Sequence, residues 1–180
     1  MPSATDLSRT IPDSWRTNCR VTAFFIEQLP ASFWNEPIPG YPARTVRTIA
    51  AHLQNARATW IRTLGREHGI VAPALVDRHK VTRAQLLAAL RRSAKGIEAL
   101  LRLGLDKGGR VPPSRGYVWR NLPLDVGHVL TYFVAHEAHH RGQLVMVARQ
   151  LGHRLPQSTV NGLWQWTTRV REHARRGATA

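Results

Sequence analysis

Long runs in which apolar side chains recur every three or four residues, punctuated by proline and glycine, confine this chain to helices packed on helices. The first run covers about residues 14–29, with Trp15, Cys19, Thr22, Ile26 and Leu29 on one face. Asp13 or a neighbour is placed to cap it after a polar lead, and Pro30 ends it. The second covers about residues 46–67, with Thr45 as N-cap, Gly69 as terminator and an inner face of Val46, Ile49, His52 or Leu53, Ala56, Trp60 and Leu64. The third, about residues 83–103 behind Thr82, shows Leu86 or Leu87, Leu90, Ala94, Ile97 and Leu101, and no catalytic side chain. The fourth has Pro123 in its first turn and runs to about Leu151, where Gly152 stops it.

The connections are uneven. Pro37-Ile38-Pro39-Gly40-Tyr41-Pro42 cannot be regular helix and is expected as a surface link, with no strand pair of any length competing. Residues 107–121, carrying Tyr117 and Trp119, suit either a functional cover or a plain crossover. After Pro156, residues 159–173 could form a last amphipathic helix with Leu163, Trp164 and Trp166 inside. The expected fold is all-α: a four-helix bundle with a short C-terminal helical segment, one domain over residues 1–180 with frayed ends at 1–12 and 174–180.

The fourth helix carries the chemistry. His136-Glu137-Ala138-His139-His140 packs three histidines into five residues, and positions four apart share a helix face, so His136 and His140 project together. The stripe Val129, Phe133, Leu144, Val147 and Leu151 leaves two places between Phe133 and Leu144, which His136 and His140 would fill. Two neutral imidazoles in an apolar interior need partners, and a divalent metal answers for both at once. With nine histidines in the chain a single i,i+4 pair is weak evidence. A third histidine beside it, ahead of Arg141-Gly142-Gln143, favours metal.

Charge and cysteine content bound the alternatives. The net charge of +15 invites a nucleic-acid partner, yet the basic residues are spread over every helix pattern, and none of the RNP, zinc-finger or basic-zipper patterns occurs. A solvated basic surface is the preferred reading. The one cysteine, Cys19, precludes an intrachain disulfide and suits a reducing, cytoplasmic setting, as does the absence of an apolar run long enough for a membrane.

His136-Glu137-Ala138-His139-His140 also matches the H-E-x-x-H zinc-peptidase signature, with Glu137 as general base. The extended form fails, because Gln143 stands where its glycine belongs and Met146 where its third histidine belongs; a downstream carboxylate ligand would have to be Glu172. A different resemblance covers more of the chain. The segment His-Glu-Ala-His-His-Arg-Gly-Gln followed by Ala148-Arg149-Gln150-Leu151-Gly152-His153 resembles the DinB/YfiT-like family of bacterial metal-binding four-helix bundles. The likeness extends to His52, midway along the second helix, and to Gly162-Leu163-Trp164-Gln165-Trp166.

That resemblance implies His52, His136 and His140 as the three ligands of a divalent metal, zinc or nickel, with a coordination position left open. It implies a metal-dependent enzyme acting on a small molecule, as a thiol-dependent S-transferase or isomerase using a low-molecular-weight thiol, or as a hydrolase, and a homodimer. The alternative is a basic nucleic-acid-associated or stress-related binding protein with a structural metal. Glu137 is expected either as a base or as a surface carboxylate paired with Arg141. His128 and Tyr132 extend the histidine face toward the helix start, as lining of the pocket mouth or, for Tyr132, as interior filling. His139 is expected in hydrogen bonds around the ligands, and Gly142 where another helix or a second copy comes close.

Overall fold

The computed structural model describes residues 6–115, 117 and 121–177. Among them are six α-helices and one two-stranded hairpin: α1 (Leu7–Gln28), β1 (Pro37–Ile38), β2 (Tyr41–Thr45), α2 (Val46–Gly65), α3 (Arg83–Asp106), α4 (Val126–Gln150), α5 (Gln157–Gly162) and α6 (Trp166–Gly177). The helix boundaries follow local chemistry. Thr45 and Thr82 each close a reciprocal capping box, with Thr48 and Gln85 respectively. Asp125 caps α4, so Pro123 lies ahead of that helix and not within its first turn. Gly69 and Gly152 adopt the left-handed conformation, φ 71° and 75°, where the chain leaves α2 and α4.

Three features depart from the periodicity reading. Helix α1 starts about two turns early, because Asp6 caps it through Ser8 and the buried Pro12 is absorbed near its N-terminal end. The proline-rich link pairs with itself as an antiparallel hairpin, turning at Gly40, φ 73°. The C-terminal helix breaks into α5 and α6, and Trp164, expected inside, is 81% exposed at the break. Trp119 falls outside the described residues.

Helix α1 packs on α3, α4 and α6, while α2 packs on α3 and α4, and α3 meets α4. Two apolar clusters fill the interior. One gathers Phe25, Phe33, Leu53, Leu86 and Leu144; the other gathers Trp15, Ile61, Ile97, Val129 and Phe133. Along α4 the buried positions are Val126, Val129, Phe133, Glu137, Arg141, Leu144, Val147 and Ala148. The two core places between Phe133 and Leu144 are thus held by Glu137 and Arg141, and the histidines stand half-buried at the edge of that stripe.

Candidate metal centre

The contact between α2 and α4 brings together the three histidines that the sequence separates. His52 sits in the middle of α2, and His136 and His140 sit one turn apart on α4. The His136 Nε2 atom lies 3.3 Å from His52 Nε2 and 3.2 Å from His140 Nε2. One nitrogen from each ring falls within 4.8 Å of the other two, and the ring centroids are 4.6–5.3 Å apart. Nitrogens bound about 2.0–2.1 Å from a tetrahedral zinc lie about 3.3–3.4 Å from each other. Both Nε2 spacings to His136 are close to that edge length.

The surroundings set the tautomer. His140 donates from Nδ1 to Gln143 Oε1 at 2.7 Å, which leaves Nε2 as a bare lone pair facing the other two rings. Gln143 in turn donates from Nε2 to His139 Nε2 at 2.9 Å. On the opposite side the Tyr132 ring stacks on His136, 14° from parallel at 6.0 Å, and meets Trp60 edge-on at 5.4 Å. One histidine is therefore held by a hydrogen bond and the next by a ring.

Electrostatics keep the three rings neutral. Burial, reinforced by His140 and His52, lowers the His136 pKa to about 4. Burial also lowers His52, with His140, Arg78 and Arg44 adding to the effect. In His140 burial outweighs the opposing hydrogen bond to Gln143. A neutral imidazole is the ligating form, so the donor set could hold a metal ion at neutral pH.

The family model for the DinB family matches residues 1–175, which include all three histidines and every helix through most of α6. The chain belongs to the DinB family. No curated protein and no solved structure matches it.

In this DinB-family chain the remaining expected site residues are dispersed. Glu137 pairs with Arg141, as one expectation had it, but in the core and not at the surface. It is 1% exposed, so it is no surface carboxylate. Its Oε1 accepts from Arg57 Nε at 2.6 Å, and its Oε2 accepts from Asn18 Nδ2 at 2.9 Å and Thr22 Oγ1 at 2.6 Å. Arg141 Nη1 stands 3.7 Å from Oε2 and donates to Thr22 Oγ1 at 2.6 Å. A carboxylate held this way by α1 and α2 is committed to the core and unsuited to a base's work at the histidines, which also removes the carboxylate that the peptidase reading needs.

His128 is exposed at the start of α4, its Nδ1 2.5 Å from the capping Asp125, and does not line the cavity beside His52 and His140. Tyr132 fills interior space and props His136. His139 is exposed and accepts from Gln143. A Cβ on Gly142 would meet nothing within 4 Å, so among the described residues no other helix approaches there.

Sequence reasoning missed Gln143 as the residue that orients His140. Its spacing, three residues after His140 and four after His139, was a usable signal. It also missed a cavity of about 310 Å³ beside His52 and His140, bordered by Tyr41, Arg44, Thr48 and Arg78. Beyond α2 and α4, its walls come from the hairpin and from the loop before α3, where helical periodicity carries no information.

Proposed function

We propose that this chain is a divalent-metal enzyme built on a four-helix bundle, in which α1 to α4 form the scaffold and His52, His136 and His140 hold zinc or nickel. The observation that carries the reading is the convergence of three imidazole nitrogens, all within 4.8 Å of one another and two of the pairs at 3.2–3.3 Å, beside a cavity large enough for a small molecule. Three protein ligands and no fourth carboxylate or thiolate among the described residues match an open, catalytic type of site better than a closed structural one. When bound, such an ion supplies Lewis acidity, or lowers the pKa of a water or thiol that reaches it.

The chain's own residues do the positioning. Gln143 fixes the His140 ring by accepting a hydrogen bond from its Nδ1–H, Tyr132 fixes the His136 ring face, and Arg57 with Glu137 clamps α2 to α4. On the family resemblance, the reaction proposed is thiol-dependent group transfer or isomerisation on a small substrate, with a low-molecular-weight thiol as co-substrate; hydrolysis is the next candidate.

Purification without added metal followed by elemental analysis tests the centre. One zinc or nickel per chain, lost in His136→Ala and in His52→Ala, is expected. Metal content unchanged by either substitution would sink the proposal. Thiol transfer and hydrolysis assays with and without chelator then choose between the reactions.

A further inference from the structure

The cavity beside the histidines has an unbalanced charge. Arg44 and Arg78 line it together with Thr48, His52, His140 and Gln143, and no carboxylate lines it. Among the described residues neither arginine belongs to an ion pair. A cavity of about 400 Å³ between α1 and α3 differs in carrying two carboxylates, Glu98, which pairs with Arg16, and Glu27, which pairs with Arg20 at 2.9 Å.

Both unpaired arginines stand on segments fixed beside the site. Arg44 belongs to β2, and its guanidinium lies over the Tyr41 ring at 5.1 Å. The hairpin is tied to the start of α2, where Val46 donates to Glu36 O at 3.1 Å. Arg78 follows a loop fastened to α2 by Asn55, which donates to Val76 O at 3.0 Å and accepts from Val76 N at 2.9 Å. Asn55 is three residues from His52, so the loop is anchored one turn along from a histidine of the centre.

We infer that the substrate of this centre is a small molecule bearing an oxyanion, a carboxylate or a phosphate, held by Arg44 and Arg78 while its reacting end faces the three histidines. The inference rests on the metal reading above. An ion held by three neutral imidazoles keeps its whole positive charge, and two guanidiniums add to it, so an anion is the component that balances the cavity. Guanidinium pairs with either oxyanion through two parallel N–H donors, giving orientation as well as attraction. At about 310 Å³ the cavity is at the small end of the range for ligand sites, which suits a short metabolite-sized acid.

Calorimetric titration of the zinc-loaded full-length protein with succinate, inorganic phosphate and the uncharged succinamide tests this. Succinate or phosphate should bind, succinamide should not, and the double variant R44Q/R78Q should weaken binding about tenfold or more with zinc content unchanged. Stronger binding of succinate than of phosphate assigns a carboxylate substrate, and the reverse assigns a phosphate. A control, R91Q/K95Q, removes the same charge at the other cavity and should bind as the parent does. Equal binding of succinamide, no binding of either anion, parent-like affinity in R44Q/R78Q, or an equal loss in R91Q/K95Q overturns the inference. Zinc measured on the same samples separates the failures: one ion per chain with indifferent arginines overturns the oxyanion site alone, and no bound zinc overturns the metal centre and this inference with it.

Discussion

Glu137 and His136 are neighbours in sequence with opposite duties, one turned into the core and the other toward α2's histidine. The Glu137 carboxylate accepts from Arg57, Asn18 and Thr22 in a setting where water cannot replace any of them. Removing one partner of a buried ion pair leaves the other uncompensated, at a cost of about 3–5 kcal/mol. Glu137→Ala should therefore lose about that much stability by urea unfolding, since it strands both Arg57 and Arg141. An unchanged midpoint would show that the carboxylate bears no such load. Glu137→Gln, which retains an acceptor oxygen, should fall between. The sequence disclosed the histidine motif readily but misplaced it in the core. Val129, Phe133, Glu137, Arg141 and Leu144 continue the stripe as regularly as the histidines do, and a charged pair at core positions is what hydropathy cannot suggest.

At the scale of the elements, two helical glycines make opposite predictions. A Cβ on Gly96 of α3 would come within 2.6 Å of Ile61 Cδ1 on α2, so α2 and α3 touch there because glycine is present. Gly96→Ala should destabilise by about 1–3 kcal/mol through overpacking. Gly142, exposed in α4 with open space around it, carries only the conformational cost of glycine in a helix. Gly142→Ala should stabilise by up to about 1 kcal/mol in thermal unfolding. A loss of stability at Gly142 would mean that a second copy of the chain packs on that face. Four long helices and two threonine caps were legible in advance, because periodicity and capping are local. The early start of α1, the hairpin and the break before α6 were not legible. The first follows a local cap that periodicity does not register, Asp6 accepting from Ser8, whereas the break depends on packing: Gly162 closes α5 where a Cβ would collide with Phe24.

For the whole molecule, acidity should reveal the centre before any substrate is known. Folding moves the His136 pKa from 6.5 to about 4, and it lowers His52 and His140 as well. A lowered histidine pKa means that the unfolded chain binds the proton first, so stability is complete above pH 6.5 and declines as pH falls from 6.5 toward 4. The depressed carboxylates Asp6, Glu98 and Asp125 begin to act about a unit above their ordinary values of 3.8, 4.5 and 3.8, which leaves the upper part of the interval, from pH 6.5 to about 5.5, to the histidines. In metal-free protein the unfolding free energy should therefore fall between pH 6.5 and about 5.5, and His136→Asn should flatten that slope. Metal binding sharpens the contrast, because protons and a divalent ion compete for the same lone pairs. Zinc at a hundredfold excess over its dissociation constant adds about 2.7 kcal/mol, or about 5–10 °C in melting temperature for a chain of this size. That increment should be full at pH 7.5 and shrink as pH falls toward and below 4. A zinc increment that persists undiminished into acid would mean that the ion is held by groups other than these three imidazoles.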